Sequence, residues 1–384
     1  MRVAVDRRLA GGEGTGVASY ARAVEAALET QRIAVAGLED ATTGRFGGAR
    51  GRPEQVGRWL AAWAPHARPL AERHGGATLW RRDLFRLAQV RFRLTGRVLR
   101  LRAPGPPGIM HWTYPIPAVV DGWINVHTVH DVIPLEHPDL SPIDPDALRG
   151  QLRAIAAVTD RIVTVSEAAR RAILSAMAFP ADAVVDCGGA VVDLDREPGP
   201  LPQGLVARGY LLCCGVVERR KNLDRLVEAW TLAGRPMPLV IAGPDGADGA
   251  ALRARLAVQG ALMLPFQPRP VLMQLIADAR ALVFPSLVEG FGLPVAEAMA
   301  LGTPVVTADR GALAETAGGA ASAVDTTDTA AWARAIARIV RDDAFAAALA
   351  VAGRRRARDF APDALGRRLA ALYDGLVAER ATLD

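Results

Sequence analysis

The sequence predicts an α/β protein of two doubly wound parallel sheets, which face each other across a cleft. The chain has 384 residues, too many for one ordinary core and suited to two domains of somewhat under 200 residues each. Short apolar segments alternate with helix-length segments twice over, the pattern of parallel sheets with helices on both faces. A proline-rich break separates the two series.

The predicted strands fall on either side of that break. They lie at 2–6, 109–112, 124–129 and 161–165 in the first half, and at 210–215, 238–243, 261–264, 281–285 and 304–307 in the second. Three prolines and a glycine interrupt any periodicity at 193–203. We therefore predict an N-terminal domain at 1–195 and a C-terminal domain at 196–363. The amphipathic segment at about 364–384 completes the first domain, and the region at about 40–108 decorates it as a less regular insertion.

The composition indicates a fully folded protein. Hydrophobic residues make up 51% of the chain and charged residues 23%. The three cysteines, Cys187, Cys213 and Cys214, have neither metal spacing nor the pattern of a disulfide framework. Neither a signal-peptide core nor a run of about 18 apolar residues is present. These features predict a reduced, cytoplasmic protein.

Basic residues are unevenly distributed, although the net charge is only +5. The segment 81–102 contains eight arginines and one acid, with Leu, Phe and Val between them. Two interpretations remain open: a basic amphipathic surface on the anionic inner membrane, or a solvated arginine face on a helix packed against its own domain. Nucleic-acid binding is disfavoured, because no aromatic sheet motif or zinc finger accompanies the charge.

The most informative motif is a glycine turn at 286–306, SLVEGFGLPVAEAMALGTPVV. It follows the predicted strand 281–285, and Gly290 and Gly292 let backbone N–H groups approach a ligand. Pro294 suits the first turn of the helix that follows. A helix N-terminus after such a turn binds anions, phosphate above all.

Two carboxylates accompany this turn. Glu289 lies on the loop and Glu297 about one turn into the helix, so both point into the same cleft from different depths. Carboxylates do not bind phosphate, but they accept hydrogen bonds from the hydroxyls of a sugar or ribose. The alternative is a glycine-rich turn with two surface acids and no ligand.

Lys221 is the only lysine, because 45 of the 46 basic residues are arginine. It follows the predicted strand 210–215 and opens a predicted helix. Lys221, with its neighbours Arg219 and Arg220, can therefore reach the same anion as the glycine turn. An ammonium group is a compact charge that arginine does not replace freely in a tight space. The single lysine indicates a binding site unless its position is a coincidence.

Two weaker motifs lie in the first half. A glycine loop at 11–28 leads into a helix but lacks the G-x-G-x-x-G fingerprint, so it predicts close approach to a ligand and not dinucleotide binding. His130 and Asp131 follow the predicted strand 124–129 at its carboxyl end, where an imidazole can contact substrate. His127, inside that strand, is predicted to be a core histidine.

Metal binding is the less favoured interpretation of two groups. His130, Asp131 and His137 could ligate a metal, but their proline-rich loop lacks the usual spacing. Asp193 and Asp195 could hold a metal bound to a nucleotide, but they lie in the predicted linker. We therefore predict no metal and no cofactor.

Together these motifs resemble the retaining nucleotide-sugar glycosyltransferases of family 4, the group 1 glycosyltransferases, which have the GT-B fold. The resemblance rests on EGFGLP at 289–294 with Glu297, RRKN at 219–222, HDVIP at 130–134, VTVSEAARRAIL at 163–174 and IAGPDG at 241–246. It runs from the first strand to the terminal helix and is poor only at 40–108. It implies two Rossmann-like domains, with the donor held by the second and the acceptor by the first.

The resemblance also implies a donor site. Lys221 and an adjacent arginine would bind the donor diphosphate, Glu289 the transferred sugar and Glu297 the ribose. The donor-binding residues implied in this way are Gly16, Arg219, Arg220, Lys221, Glu289, Gly290, Phe291, Gly292, Leu293 and Glu297.

The catalytic residues implied are His130, Lys221 and Glu289, and the acceptor residues are His130 and Asp131. The acceptor would attack on the face that the phosphate leaves, and a phosphate oxygen would take its proton, so configuration is retained. Lys221, an arginine and the helix N-terminus would stabilise the leaving charge without a divalent ion. Closure of the two domains would exclude water.

The sequence departs from the family pattern in three places. Val216 stands where many relatives carry an arginine, so Arg219 or Arg220 must supply that charge. Ala18 stands where a second glycine is frequent. Residues 188–193 read GGAVVD where Asn-Gly-Val-Asp is usual.

We therefore expect transfer of mannose or glucose from a GDP- or UDP-linked sugar to a glycan or polyprenyl-diphosphate-linked acceptor, in surface polysaccharide synthesis. The alternatives are a nucleotide-sugar epimerase or phosphorylase of the same architecture, or a non-enzymatic basic binding protein. A transferase is distinguished from the other two enzymes if turnover of the nucleotide sugar requires an acceptor and forms a new glycosidic bond. Salt-sensitive nucleic-acid binding without affinity for nucleoside diphosphates identifies the binding protein. A dehydrogenase is disfavoured by the poor fingerprint.

Overall fold

The computed structural model describes residues 2–9, 16–40, 52–64, 66–194 and 199–382, with the backbone alone at 52–56. Residues 11–15 of the predicted glycine loop and Asp195 of the Asp-x-Asp pair lie outside these ranges. All structural findings refer to the described residues.

The first unit consists of two sheets and their covering helices. Its strands are β1 (Val3–Asp6), β2 (Val35–Glu39), β3 (Arg68–Pro69), β4 (Ala71–Arg73), β5 (Thr78–Trp80), β6 (Leu99–Arg102), β7 (Ile109–Trp112), β8 (Ala118–Val120), β9 (Ile124–Thr128), β10 (Arg161–Thr164) and β11 (Val184–Asp186). Its helices are α1 (Gly16–Thr30), α2 (Arg52–Trp63), α3 (Leu84–Thr95), α4 (Ile133–Glu136), α5 (Pro145–Ala156) and α6 (Glu167–Met177). The main sheet has the order β11-β10-β9-β7-β1-β2-β5-β4 and is parallel except for β4, and β3-β6-β8 form a small parallel sheet.

The second unit is one six-stranded parallel sheet of order β14-β13-β12-β15-β16-β17. Its strands are β12 (Leu211–Cys214), β13 (Leu239–Ala242), β14 (Leu262–Leu264), β15 (Ala281–Phe284), β16 (Val305–Ala308) and β17 (Ser322–Val324). Its helices are α7 (Leu223–Leu232), α8 (Gly249–Val258), α9 (Arg269–Ala277), α10 (Leu293–Leu301), α11 (Gly311–Ala317), α12 (Thr329–Arg341) and α13 (Asp343–Arg356).

The predicted α/β class and the parallel sheets are confirmed. Each of the nine predicted strands is present, with ends that differ by at most one residue. The central strands β1, β12, β13 and β15 are buried along their whole length, because helices cover both faces of each sheet. Continuous apolar runs therefore marked them in the sequence.

The region 40–108 differs from the irregular insertion that was expected. It forms α2, α3 and four strands, and β5 pairs in parallel with β2 and so extends the main sheet. These strands have two to four residues, too few to show the alternation that marks a strand in a sequence.

The last helix, α14 (Pro362–Ala381), packs against α1 and shares its core. Leu365, Leu369 and Tyr373 are fully buried there. The hydroxyl of Tyr373 hydrogen-bonds to Nδ1 of His111 in β7. The chain therefore crosses to the second unit and returns to the first.

Candidate active site

The strand order of the second sheet places a crevice between β12 and β15. Ligands of open parallel sheets bind outside the carboxyl ends of the two strands where the order reverses, and here β12 and β15 are those strands. A 3₁₀ turn at Arg219–Lys221 follows β12, and the loop of the glycine turn, which contains Gly290 and Gly292, connects β15 to α10. Two motifs 68 residues apart in the chain therefore meet at one edge of the sheet.

A compact cluster of charges forms at this edge. Nζ of the buried Lys221 lies 2.7 Å from Oε1 of Glu289 and 4.5 Å from the centroid of the Phe284 ring. Nη1 of Arg220 lies 2.6 Å from Oε2 of Glu289, and its Nη2 lies 2.6 Å from Glu218. Glu289 is therefore held between an ammonium and a guanidinium group.

The cluster fixes the ionisation of Glu289. Burial raises its pKa, but the charges of Lys221 and Arg220 outweigh burial and lower the pKa to about 2. Burial lowers the pKa of Arg220, whereas Glu289 and Glu218 raise it above its ordinary value. At neutral pH Glu289 can therefore only accept hydrogen bonds.

The start of α10 adjoins this cluster. Gly292 precedes the helix with φ of 95°, a left-handed conformation that favours glycine, and no side chain of the described ranges caps the helix. A Cβ atom on Gly290 would lie 2.6 Å from the carbonyl oxygen of His130, so only glycine fits there. The Phe291–Leu293 backbone thus opens a helix whose positive end is available to an anion.

His130 lies across from this turn in the first unit. Its Nε2 donates to the carbonyl oxygen of Thr113 at 3.0 Å, and its ring meets that of Tyr20 edge-on at 4.9 Å. Burial lowers the pKa of His130 to about 4. The imidazole is therefore neutral at pH 7, with Nε2 as the donor, and Nδ1, which has no partner among the described residues, can accept a hydrogen bond from a hydroxyl group.

Glu297, on the first turns of α10, is the second predicted carboxylate and is only 2% exposed. Its Oε1 lies 2.5 Å from Nη1 of Arg269, the first residue of α9. Burial raises the pKa of Glu297, and Arg269 limits that rise. No sequence motif pointed to Arg269, although it follows the predicted strand 261–264 and so lies at the same rim.

Gly16, Asp131 and Arg219 are further residues that were predicted to belong to the site. A Cβ atom on Gly16 would lie 4.0 Å from Leu293, so the start of α1 faces the start of α10. Asp131 follows His130, accepts a hydrogen bond from the backbone of Ile133, and has its pKa raised by burial. Arg219 is exposed, and its side chain makes no hydrogen bond or ion pair to the described part of the chain.

The groups considered for metal binding have other surroundings. Asp193 pairs with Arg22 at 2.9 Å, and His137 is exposed. His127 is fully buried and bonds to Thr159 and two backbone carbonyls, as predicted for a core histidine. Within the described ranges, no three His, Cys, Asp or Glu side chains converge as metal ligands do.

Direct contacts join the two units beside the cluster. The hydroxyl of Ser166 donates to the carbonyl oxygen of Gly290 at 2.7 Å. Glu315 of α11 accepts hydrogen bonds from the backbone N–H groups of Glu167 and Ala168 at 2.8 Å each, at the start of α6. The start of α6 is therefore hydrogen-bonded both to the glycine turn and to α11 of the second unit.

A cavity of about 360 Å³ opens between the units and shares Asp131 and Glu289 with the site. The other polar side chains that line it belong to Glu136, Arg171 and Ser175. Three carboxylates and one guanidinium group thus surround a space next to the charge cluster.

Solved structures identify the class of fold. Sucrose-phosphate synthase from Thermosynechococcus elongatus superposes with a TM-score of 0.69 at 21% identity, over 99% of this chain and 100% of that protein. The structure of Anabaena HepE in complex with UDP and glucose gives a TM-score of 0.67 at 15% identity, over 98% and 100%. The protein has the GT-B fold of two-domain glycosyltransferases.

Sequence comparison gives the family. The profile of "Glycosyl transferases group 1" matches residues 206–356. The O-antigen chain mannosyltransferase B of Escherichia coli is 32% identical over 61% of this chain and 66% of that protein. The D-inositol 3-phosphate glycosyltransferase of Mycolicibacterium paratuberculosis is 31% identical over 74% and 71%. The chain belongs to the group 1 glycosyltransferases.

Proposed function

We propose that this glycosyltransferase moves a hexose from a nucleoside-diphosphate sugar to an acceptor with retention of configuration. The observation that supports this most is the cluster of Lys221, Arg220 and Glu289 beside the uncapped start of α10. It combines two cations and a helix dipole with a carboxylate, the groups that a diphosphate and a sugar ring require.

The chemistry assigned to these groups is charge stabilisation. The bond between sugar C1 and the phosphate oxygen breaks, and its electron pair goes to the diphosphate. The acceptor oxygen bonds to C1 on the same face, and its proton passes to a phosphate oxygen. Lys221, Arg220 and the N–H groups at 291–293 stabilise the growing negative charge, while Glu289 accepts hydrogen bonds from sugar hydroxyls.

The donor sugar that we propose is mannose, with glucose as the second candidate. The E. coli relative is named a mannosyltransferase, and the HepE structure holds UDP and glucose. The nucleotide that we expect is GDP or UDP, so both belong in the test.

The acceptor that we propose is the hydroxyl-rich end of a glycan, free or carried on a polyprenyl diphosphate, as used in surface polysaccharide synthesis. The relatives include enzymes named for an O-antigen chain and for D-inositol 3-phosphate. The cavity beside Glu289 is lined by three carboxylates and one arginine, which favours hydroxyls over a phosphate.

A binding panel followed by a product assay tests the function. We expect GDP or UDP to raise the melting temperature, because a ligand stabilises the state that binds it. The matching mannose or glucose nucleotide should then yield an α-linked product only when a glycan acceptor is present. Epimerised nucleotide sugar without acceptor, or no nucleotide binding at all, would reject the proposal.

We predict that a chelator leaves turnover unchanged. The two cations and the start of α10 are positioned to neutralise the diphosphate, so the proposed reaction needs no divalent ion. Initial rates with and without EDTA measure this. A loss that Mg²⁺ or Mn²⁺ restores would contradict the prediction and return Asp193 and Asp195 to consideration.

We also propose peripheral contact with the anionic inner face of the cell membrane. The helix α2 exposes Trp59, Leu60 and Trp63 by 50%, 60% and 54%. It packs against α3, where Arg91 donates to the carbonyl oxygen of Ala62 at 2.8 Å, and α3 exposes further arginines of the segment 81–102. Exposed aromatic side chains beside basic ones suit a lipid interface.

None of the helices within the described ranges has the length and hydropathy needed to cross a bilayer.

Vesicle flotation measures this contact. We predict binding to vesicles that contain phosphatidylglycerol, and a several-fold loss in Trp59→Ser/Trp63→Ser. Val258→Ser, which removes an 89%-exposed apolar side chain from the other unit, should bind normally. Equal flotation of the double variant, or none by the wild-type protein, would contradict the proposal.

A further inference from the structure

The ion pair of Arg269 with Glu297 supports a further inference, which rests on the proposed function. We propose that Arg269 is a positioning residue, which holds the carboxylate of Glu297 charged and aimed so that it accepts hydrogen bonds from the ribose hydroxyls of the donor. Arg269 acts through Glu297 and need not touch the nucleotide.

The contacts leave one carboxylate oxygen for the ligand. Nη1 of Arg269 donates a hydrogen bond to Oε1 of Glu297 at 2.5 Å. Within the described part of the chain, Oε2 of Glu297 accepts no hydrogen bond. Nη2 of Arg269 donates to the carbonyl oxygen of Val192 at 3.1 Å. The guanidinium group is thus fixed at two points, and its planar shape sets the plane of the carboxylate.

Burial makes this partner necessary. Glu297 is 2% exposed, and a buried carboxylate without a counter-charge takes up a proton. A neutral carboxyl group is a weaker acceptor for two hydroxyls than a carboxylate. The charge of Glu297 at neutral pH therefore depends on the cations around it.

The other charged groups near Glu297 do not replace Arg269. Arg22 of α1 lowers the pKa of Glu297 less than Arg269 does, and Asp193, which pairs with Arg22, raises it. Cys214 of β12 also faces this region, but burial raises the pKa of its thiol well above the neutral range, so it stays uncharged. Among the described residues, Arg269 is the cation in direct contact with Glu297.

The test measures how the affinity for nucleotide depends on pH. The dissociation constants of GDP, or of UDP if GDP does not bind, are measured from about pH 5.5 to about pH 8.5 by calorimetry, with the 2′,3′-dideoxy analogue in parallel. In Arg269→Gln we expect about tenfold weaker binding at neutral pH. The decline in affinity with falling pH should be centred at a higher pH than in the wild-type protein. The dideoxy analogue, which cannot bond to Glu297, should show neither effect.

Two variants serve as controls. Arg269→Lys keeps a cation and should restore most of the affinity and the wild-type pH dependence. Arg253→Gln removes an arginine that is bound to the end of β14, the strand that precedes Arg269. Nη1 of Arg253 donates to the carbonyl oxygen of Leu264 at 3.1 Å, and Arg253 does not contact Glu297. It should leave the pH dependence unchanged.

A double variant keeps the inference testable if Arg269→Gln does not fold, because Arg269→Gln/Glu297→Gln leaves no buried charge unpaired. It should bind the nucleotide as Glu297→Gln alone does, and a further severalfold loss would overturn the inference. An unchanged pH midpoint in Arg269→Gln would also overturn it. If instead Glu297→Gln binds GDP and UDP as the wild-type protein does, the proposed ribose contact itself is wrong.

Discussion

Lys221→Ala is expected to lower turnover by about a hundredfold or more, the scale of one lost charge-stabilising group in an active site. The substitution removes the ammonium group that lies 2.7 Å from Glu289, at the point where the diphosphate would leave. Arg220 still pairs with Glu289, so the protein should remain folded. Initial rates at saturating donor, with the melting temperature measured in parallel, test this.

Two further variants sharpen the result. Arg225→Gln, four positions later, removes a cation that hydrogen-bonds to Thr327 and Thr329, away from Glu289, and should keep near-normal turnover. Lys221→Arg should remain strongly impaired, because the site is tight: a Cβ atom on Gly215 would lie 3.1 Å from Cε of Lys221. A near-normal rate in Lys221→Ala would remove Lys221 from the mechanism.

Glu289→Gln should lower turnover on a similar scale, about a hundredfold, because the amide cannot hold Lys221 and Arg220 or accept the same hydrogen bonds from a sugar. Glu218→Gln is the matched control. It removes the other carboxylate partner of Arg220, at 2.6 Å, and should cost less than about tenfold. Equal losses in the two variants would show that Glu289 acts only through Arg220.

The same substitution should change the pH dependence of stability. The pKa of Glu289 is about 2 in the folded protein and 4.5 ordinarily, so its ionisation stabilises the fold above pH 4.5. We expect Glu289→Gln to lower the free energy of unfolding by on the order of 3 kcal/mol at neutral pH. This difference should shrink as the pH falls from 4.5 toward 2. A constant difference would mean that the carboxylate is not ion-paired.

Much of the fold could be predicted because parallel strands that are buried on both faces have continuous apolar sequences. The strands β12 and β15 stood out as LLCC and ALVF. The placement of Lys221 and the glycine turn at one edge of the sheet also followed, because both lie just beyond the carboxyl ends of strands, whereas the ion pair of Lys221 with Glu289 was not predicted. The order of the strands, which places these two motifs on either side of the point where it reverses, could not be predicted. Strand order is a property of the whole sheet.

Contacts between side chains far apart in the chain were beyond the reach of sequence patterns. Nothing in the sequence pairs Arg269 with Glu297, because one arginine among 45 gives no signal until the two helices are placed side by side. The choice between Arg219 and Arg220 was also left open. The structure turns Arg220 toward Glu289 and leaves Arg219 exposed, a difference set by the geometry of a single 3₁₀ turn.

A crystal structure with bound nucleoside diphosphate tests the central claim most directly, namely that the leaving diphosphate is neutralised by the second unit. We predict phosphate oxygens within hydrogen-bond distance of Nζ of Lys221 and of the backbone N–H groups at 291–293, with Lys221 released at least in part from Glu289. Phosphates bound elsewhere, with Lys221 and the start of α10 facing solvent, would contradict the account.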